Sequence, residues 1–404
     1  MTNLSPRAST RAFAESTMKT LKLSLVANAE NPLALSEAAR LGFAKGRPSS
    51  REPKVARCIE PLKDARWDDF LQRHPRASLF HSSAWLRALS RTYGFQPVAY
   101  TTSHDGGDLE NAIVFCRVES WLTGGRLVSL PFSDHCDPLV DQEEDRELLS
   151  AALEKDFERA KWRYFEIRPR ETLDLGTRLR RTQVTYAFHE LDLSPSLDTL
   201  YGNFHKSSTQ RKIRRAERDG LIYREESSKV FLDHFFRLFT ISRKRQGLAP
   251  QSKKWFASLL DCFGDDMKIR VAFKQERPIA AMVTIRYKDT LTYKYGCSDA
   301  EFNNLGSMHL LFWNAIQDAK ASGLRYLDFG RCDADQEGLI TFKSRWGAAQ
   351  SEITYSRYGV LEKSTHLFDL YSSKWKSRAA KGVLRRVSPA LLPVIGRILY
   401  RHIG

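Results

Sequence analysis

Apolar residues recur three and four positions apart in some stretches of the chain and alternate with polar residues in others. The first pattern predicts helices in WDDFLQRHP, from Trp67, and in SSAWLRALSRTYG, from Ser82. The second predicts strands in PVAYTTS and NAIVFCRVES, which the turn sequence HDGGD separates. GRLVSLPF adds a third strand, ELLSAALEKDFERAKW a helix and YFEIRPR another strand. The first half therefore has two helices, three strands, a helix and a strand.

The second half repeats this order. FLDHFFRLFTISRKRQG and SKKWFASLLDCFG are predicted helices, and MKIRVAFKQERPIAAMVTIRYKDTLTYKYGCS contains three predicted strands. SMHLLFWNAIQDAKASG is a predicted helix that ends at Gly323, and LRYLDFGR is the strand after it. Glu166 and Asp328 then occupy equivalent places. The repetition predicts an α/β (α+β) fold of two duplicated lobes, each a mixed sheet flanked by helices, with a cleft between them. Chance agreement of two α/β domains is the alternative.

Composition divides the chain into four parts. Residues 1–52 are rich in Ser, Ala, Arg and Pro and lack sustained periodicity, so we expect a flexible leader. Residues 53–192 are the predicted N-terminal lobe and residues 193–360 the C-terminal lobe. In residues 361–404 basic residues far outnumber acidic ones, beside the apolar run ALLPVIGRILY. We expect a basic amphipathic helical tail that either packs on the domain or lies on an anionic membrane surface.

The 404 residues carry a formal net charge of +16. This charge favours an anionic partner such as nucleic acid, a phosphorylated substrate or an acidic membrane face, although excess basic residues also serve solubility. The six cysteines include no CxxC pair, which predicts reduced thiols and a cytoplasmic protein. No stretch approaches eighteen apolar residues, and the signal-like run after Met18 is too short to predict secretion.

Asp328, Phe329 and Gly330 have the letters of a kinase metal-binding loop. The chain has no GxGxxG loop and no His-Arg-Asp sequence, so the kinase interpretation fails; Walker A and GxSxG motifs are also missing. The loop SDHCDP puts Asp134 and His135 side by side. Adjacent residues rarely chelate one ion and there is no HExxH helix, so no metal is expected. Polar groups just beyond a strand end can instead line a cleft.

The segment NFHKSSTQRKIRRAERDGL, which starts at Asn203, concentrates basic residues. On a helix, Arg211, Arg214, Arg215 and Arg218 are three and four positions apart and share one face. Guanidinium groups bind phosphate bidentately, so this face suits a phosphorylated ligand or RNA. A solvated helix surface is the alternative.

In TLTYKYGCS, regular alternation puts Tyr293 and Tyr295 on one face of a strand and Lys294 on the other. Gly306 and Ser307 then begin a helix directly after a strand and loop. A helix N-terminus in that position is a natural anion site, although these two residues alone are a weak signal for one.

Asp328 lies near the C-terminal end of its predicted strand, where α/β proteins place groups that face ligands. Arg331 follows in the loop, and Lys343 and Trp346 come on the next element. Acidic, basic and aromatic groups thus crowd one strand end. This crowding predicts a binding or catalytic site, with a strand-edge salt-bridge network as the alternative.

These segments, in this order, resemble the BioF2-like acetyltransferase domain of the GNAT superfamily and the FemAB-type peptidyltransferases, which build peptidoglycan cross-bridges from aminoacyl-tRNA. The resemblance is carried by HKSSTQRKIRRAERDGL, ISRKRQG, PIAAMV, YKYGCSD, YLDFGR and GLITFKSRWGA, and in the first half by LVSLPFSDHCDPLV and FEIRPR. It covers roughly residues 55–358. It implies two GNAT-like lobes that transfer an acyl or aminoacyl group to an amine.

The resemblance also implies roles for single residues. The lysine of the family's Phe-Lys element falls on Lys343, which would hold donor phosphate or stabilise the oxyanion, and Asp328 would act beside it in catalysis. Asp134 and His135 would contribute on the acceptor side. The residues expected to contact substrate or phosphate are Lys206, Arg211, Arg215, Tyr293, Tyr295, Arg331, Trp346, Asp134 and His135.

The implied co-substrate is acyl-CoA or aminoacyl-tRNA. The chain lacks both the helical arm of tRNA-reading Fem enzymes and the RxxGxG/A loop of acetyl-CoA enzymes, so the donor stays open. The expected acceptor is an amine on an anionic, phosphorylated or lipid-linked cell-envelope or polysaccharide precursor. Expected partners also include tRNA and the cytoplasmic face of an anionic inner membrane. The alternative function is a non-catalytic RNA- or membrane-surface-binding module on the same fold.

Overall fold

The periodic segments of the sequence form the expected helices and strands in the computed structural model, which describes residues 54–121, 123–359, 378–388 and 391–403. The leader predicted for residues 1–52 lies outside the described residues, as does the start of the tail. The elements of the first half are β1 Arg57–Ile59, α1 Trp67–Arg73, α2 Ser83–Tyr93, β2 Gln96–Thr101, β3 Ile113–Val118, β4 Arg126–Val128, α3 Glu143–Ala160, β5 Tyr164–Ile167 and β6 Arg181–Asp192.

The second half begins with three elements that precede its repeat, α4 Leu197–Asn203, α5 Arg211–Arg218 and β7 Ile222–Glu226. A single turn of π-helix, Lys206–Gln210, leads into α5. The remaining elements are α6 Lys229–Gln246, α7 Lys253–Phe263, β8 Met267–Lys274, β9 Arg277–Tyr287, β10 Thr290–Ser298, α8 Ser307–Ala321, β11 Tyr326–Cys332, α9 Glu337–Ser344, β12 Ala349–Gly359, α10 Arg378–Arg386 and α11 Leu392–Ile403.

Helix boundaries follow local sequence rules. The hydroxyl groups of Ser82, Ser228 and Ser252 each accept a hydrogen bond from a backbone N–H in the first turn of α2, α6 and α7. Helices α2 and α6 end at Gly94 and Gly247, which adopt the left-handed conformation that favours glycine. The serine residues thus fix where these three helices begin, and the glycine residues fix where α2 and α6 end.

The two halves have the same strand arrangement. Strands β2, β3 and β4 are antiparallel neighbours and β4 pairs with β5 in parallel; β8, β9, β10 and β11 repeat this order. Val128 lies opposite Glu166, and Thr292 lies opposite Asp328. Glu166 and Asp328 are therefore structurally equivalent. The predicted α/β fold with two duplicated lobes is confirmed.

The lobes exchange strands. β6 follows the first lobe in the chain but pairs with β11 of the second, whereas β12 follows the second lobe and pairs with β5 of the first. β6 and β12 also pair with each other, so one twelve-stranded sheet runs through both lobes in the order β1-β2-β3-β4-β5-β12-β6-β11-β10-β9-β8-β7. Because the sheet is continuous there, the lobe boundary between residues 192 and 193 stays a prediction.

Apolar side chains cover both faces of the sheet. Trp85, Trp255 and Phe256 from α2 and α7 belong to the core on one face. On the opposite face of the second lobe, Phe312 and Ile316 of α8 pack against β10 and β11. Strands β8, β9 and β10 are therefore covered by apolar side chains on both faces, which holds polar groups at their ends in place.

The described part of the predicted tail forms two helices, α10 and α11, and Pro393 lies in the first turn of α11, where proline is tolerated. Leu384 of α10 and Leu392 of α11 are buried against the rest of the protein. In the described ranges, no helix is both long and apolar enough to cross a bilayer.

Candidate active site

The candidate site lies where β10 and β11 separate. Their parallel ladder has only three residue pairs and ends at Thr292 opposite Asp328, although both strands continue. Beyond that point β10 gains an extra residue relative to β9, and β11 has an irregularity between Asp328 and Arg331. Two bulges at the same level leave room between the strands. A cavity of about 240 Å³ lies there.

Lys343 stabilises the bulge of β11 through hydrogen bonds to its backbone. Its Nζ donates to the carbonyl oxygens of Gly330, at 2.8 Å, and Arg331, at 3.2 Å, and the residue is 2% exposed. Gly330 has a φ of +71°, and a Cβ added there would lie 3.2 Å from Cγ of Asp134. The bulge therefore requires glycine both for its backbone conformation and for the close approach of Asp134.

A buried ion pair crosses the cavity from one lobe to the other. Oδ2 of Asp134, in the loop after β4, accepts a hydrogen bond from Nζ of Lys294 on β10 at 2.6 Å. The rings of Phe80, Trp85 and Tyr295 lie 5.2–5.8 Å from the same ammonium group. These contacts fix the Lys294 charge in one position.

The environment lowers the pKa values of both members of this pair. Burial lowers the pKa of Lys294, and the Asp134 carboxylate opposes this only in part. Burial raises the pKa of Asp134, but Lys294, with Arg331 and Lys343 nearby, brings it below its usual value. Because three cations face one carboxylate, Asp134 stays ionised.

His135, the neighbour of Asp134, pairs with Asp328. Nε2 of His135 lies 3.1 Å from Oδ2 of Asp328, while Oδ1 of Asp328 accepts the backbone N–H of Gly330 at 2.6 Å. The rings of Phe80 and Phe188 contact the imidazole edge to face. Nδ1 of His135 is buried and has no hydrogen-bond partner among the described residues. A carboxylate on Nε2–H would leave Nδ1 as a proton acceptor.

A second, larger cavity of about 730 Å³ lies on the other side of these pairs. Its wall includes Arg76 and Arg170 from the first lobe, Lys288 from the second, and both His135 and Asp328. Asp134, one residue before His135, lines the smaller cavity instead. The two pairs therefore form a wall that separates two chambers, and side chains from both lobes build it.

The structure brings five predicted site residues together: Asp134, His135, Asp328, Arg331 and Lys343. Arg331 reaches the smaller cavity, donates to Asp333 at 3.2 Å and lies over the ring of Tyr186. Lys294 completes the group and was not predicted as a site residue. A basic residue inside an otherwise apolar and aromatic strand was the signal available in the sequence.

The expected face alternation in β10 is wrong. The extra residue of the bulge lies between Tyr293 and Tyr295. Tyr293 therefore packs on Phe312 of α8, whereas Tyr295 belongs to the core on the opposite face and Lys294 contacts its ring. Both tyrosines still line the smaller cavity.

Trp346 lines neither of the two cavities. Its side chain is fully buried between Phe204, His309 and Phe312. The turn after α9 directs the indole into the core instead of the cavity, so substrate binding by Trp346 stays a prediction.

The predicted basic helix forms as α5, with Arg211 and Arg214 exposed and Arg215 paired to Asp219 at 3.2 Å. Lys206, in the preceding turn, is exposed as well. Among the described residues, those of α5 line neither of the two cavities. The basic face is thus a surface next to the site and does not form its wall.

The N-terminus of α8 lies against this basic segment. A Cβ at Gly306, the residue before α8, would clash with the backbone carbonyl of Lys212. Burial, followed by the charges of Lys212 and Arg345, lowers the pKa of His309 in the first turn of α8 to about 3. The cationic side chains and the helix N-terminus together make this surface favourable for an anion.

Comparison with known proteins agrees with this geometry. Residues 203–344 match the family model described as an acetyltransferase (GNAT) domain. Over 144 residues, or 35% of the chain, the protein is 25% identical to UDP-N-acetylmuramoylpentapeptide-lysine N(6)-alanyltransferase of Weissella viridescens, and the match spans 43% of that relative's length. The resemblance to the GNAT superfamily and its FemAB-type proteins is confirmed.

The fold of much of the chain is also similar to that of FemX. The crystal structure of FemX superposes with a TM-score of 0.56 and 16% identity, covering 77% of this chain and 98% of FemX. A conserved protein of unknown function from Bacteroides thetaiotaomicron superposes with a TM-score of 0.50 and 13% identity, covering 72% and 96% of the two chains. The GNAT match includes β10, β11 and Lys343, whereas Asp134 and His135 come from the lobe that precedes it.

In the ranges that the structure describes, no group of three or more His, Cys, Asp or Glu side chains is arranged to hold a metal ion. Asp134 and His135, which are adjacent in the loop, turn to different partners, Lys294 and Asp328.

Proposed function

We propose that this protein is a FemAB-type acyltransferase that moves an acyl or aminoacyl group onto an amine. The observation that carries the proposal is the wall of charged residues between two cavities, built by Asp134 and His135 of one lobe and by Lys294, Asp328 and Lys343 of the other. Two chambers on either side of such a wall suit two substrates that must meet at one point.

In the proposed reaction, the nitrogen of the acceptor amine attacks the carbonyl carbon of the donor. A C–N bond forms, the C–S or C–O bond to the donor breaks, and the amine loses one proton. Nδ1 of His135 accepts that proton, while Asp328 holds Nε2–H and stabilises the imidazolium that results. The proton then passes to the departing thiolate or alkoxide, which leaves the histidine neutral again.

The developing oxyanion needs a fixed positive charge. Lys343 uses two of its three N–H groups on the carbonyls of Gly330 and Arg331 and lines the smaller cavity. Its remaining N–H, together with the charge of Lys294, would stabilise the oxyanion there. We therefore assign the reacting carbonyl to the smaller cavity and the acceptor amine to the larger one.

Both candidate donors carry phosphates, and the basic surface at Lys206 and Arg211 beside the N-terminus of α8 suits them. The name of the Weissella relative specifies an alanyl group and a lysine amine on a UDP-linked muramoyl pentapeptide. By this analogy we propose an aminoacyl donor, with an amine of a cell-envelope precursor as acceptor. The basic residues of the larger cavity, Arg76, Arg170 and Lys288, fit an anionic acceptor.

Transfer assays with labelled alanyl-tRNA and labelled acetyl-CoA, supplied separately with a muramoyl pentapeptide acceptor, test this proposal. We expect label on the acceptor from alanyl-tRNA, and its loss in Lys343→Ala. Lys320→Ala is the matched control, since Lys320 also donates from a helix to two backbone carbonyls, of Leu193 and Ser194, but outside both cavities.

Each outcome of these assays is informative. If label reaches the acceptor from acetyl-CoA alone, the protein is an acyltransferase, but the proposal of an aminoacyl donor is wrong. Binding of tRNA that falls steeply with salt, with no transfer from either donor and no effect of Lys343→Ala, would instead indicate a non-catalytic RNA-binding module.

A further inference from the structure

The C-terminal helix α11 is apolar on two faces. Leu392, Gly396 and Tyr400 recur four residues apart and face the protein. Val394 and Ile398, with Leu391 just before the helix, form a second apolar stripe, three and four residues apart, and each is more than half exposed. A helix that only had to pack on the domain would carry polar residues on that outer face.

Specific hydrogen bonds dock α11 in a fixed orientation. The carbonyl oxygen of His402 accepts from Nη2 of Arg126, at 2.6 Å, and from the hydroxyl of Thr123, at 3.0 Å. The hydroxyl of Tyr400 donates to the carbonyl of Ala249 at 3.2 Å. The outward apolar stripe is therefore a preformed surface.

Charged and aromatic side chains flank this stripe. Arg397 and Arg401 follow it along one side, and both are exposed. On the other side, the ring of His402 contacts Trp121, whose side chain is 87% exposed. The sequence from residue 378 to residue 403 contains six Lys or Arg residues and no Asp or Glu.

We propose that α11 and Trp121 form a docking surface for an anionic lipid bilayer. The apolar stripe and the indole would enter the boundary between headgroups and acyl chains, and Arg397 and Arg401 would contact lipid phosphates. This proposal does not rest on the transfer reaction, because no residue of the surface lines either cavity of the candidate site.

Two other occupants fit less well. RNA would use the arginines but would leave Leu391, Val394 and Ile398 in water, since nucleic-acid affinity comes chiefly from phosphate contacts. A second copy of the chain would place Arg397 and Arg401 against the same residues of its partner, without acidic residues on α11 to neutralise them. An anionic bilayer satisfies both the charge and the apolar stripe.

Cosedimentation of the full chain with vesicles tests the proposal. We expect binding to vesicles of phosphatidylcholine with phosphatidylglycerol and little binding to phosphatidylcholine alone. Arg397→Gln with Arg401→Gln should weaken binding on the order of tenfold or more. Val394→Ser should weaken it by about threefold or more. Trp121 fluorescence should shift to the blue when lipid is added, and the shift should be lost in Trp121→Phe.

The chain offers matched controls. Val230→Ser changes an equally exposed valine on another helix, and Arg211→Gln with Arg214→Gln removes the same charge from α5. Neither should alter vesicle binding.

The outcomes that contradict the proposal are distinct. If the α5 and α11 charge variants lose vesicle binding equally, the binding comes from nonspecific charge attraction and the proposal is wrong. A dimer that Val394→Ser dissociates, without vesicle binding, would assign the stripe to a second copy. RNA binding that needs Arg397 but not Val394, again without vesicle binding, would assign it to RNA.

Discussion

The imidazole of His135 and the carboxylate of Asp328 are in hydrogen-bond contact at 3.1 Å, although 193 residues separate them in the chain. They belong to different lobes and meet beside the bulge of β11, where Asp328 also accepts the backbone N–H of Gly330. One carboxylate thus positions both the candidate base and the strand irregularity that opens the smaller cavity. Substitutions can separate these two roles.

Asp328→Asn should preserve the fold and slow transfer. The amide oxygen can still accept one hydrogen bond, but the negative charge that stabilises the imidazolium is lost, so we expect kcat to fall about a hundredfold. Asp192→Asn is the control, since Asp192 likewise accepts the backbone N–H two residues later, at Ser194, but its side chain is exposed at the end of β6 and lines neither cavity. Wild-type turnover in Asp328→Asn, measured with saturating donor, would remove His135 from the mechanism.

Substitutions of Asp134 and Lys294 should have strongly non-additive effects on the free energy of unfolding. Asp134→Asn alone leaves a buried ammonium group without its counter-charge and should lower the free energy of unfolding by about 3–5 kcal/mol. Adding Lys294→Met should restore most of that loss, because an apolar chain of similar length replaces the charge.

Transfer measured on the same variants separates stability from chemistry. We expect the double variant to be folded and to remain inactive, since the cavity has lost both charges that face the reacting carbonyl. Denaturant unfolding gives the coupling energy, and a transfer assay at equal folded fraction gives the activity. An active double variant would make the pair a purely structural contact.

Much of this arrangement could be predicted from the sequence, and the remainder has definite physical causes. Polar residues near or just beyond the ends of predicted strands indicated Asp134, His135 and Asp328, because strand ends place such groups at one edge of a sheet. The face of Lys294 could not be predicted, since a single extra residue in β10 reverses the alternation after it.

The exchanged strands were not predicted either. The first half of β6 is largely exposed, including Val184, so its sequence lacks the clean alternation of a half-buried strand. β12 likewise begins with four exposed residues. Both strands are fixed mainly by pairing with each other and with distant strands, and a single sequence taken alone gives no signal for such partners.

Acid should unfold the protein partly through Glu166, the counterpart of Asp328 in the first lobe. Burial raises the pKa of Glu166, but Arg357 and Arg168 outweigh it and lower the pKa from 4.5 to about 2. The folded-state pKa is thus below the unfolded one. The stabilisation is fully present above about pH 4.5 and is lost as the pH falls towards 2.

Glu166→Gln should lower the free energy of unfolding at neutral pH by about 3 kcal/mol, because the buried Arg168 and the partly exposed Arg357 lose their counter-charge. The variant should also show a flatter pH dependence of stability between pH 4.5 and 2 than the wild type. Asp266→Asn, which removes an exposed pair with Arg286, should cost less than about 1 kcal/mol. Parallel pH profiles for wild type and Glu166→Gln would contradict the assignment.

Gly330→Ala tests whether the bulge itself is needed for transfer. The substitution forces a left-handed conformation on alanine, at roughly 1–2 kcal/mol, and places a methyl group 3.2 Å from Cγ of Asp134. Gly323→Ala has the same backbone cost, with a φ of +73°, and no atom within 4 Å of the new methyl group. The difference in unfolding free energy between the two variants therefore isolates the contact with Asp134.

Of the two glycine variants, we expect only Gly330→Ala to reduce transfer, because it displaces the carbonyl oxygen that accepts a hydrogen bond from Lys343. Equal losses of activity in both variants would show that the bulge acts through stability alone.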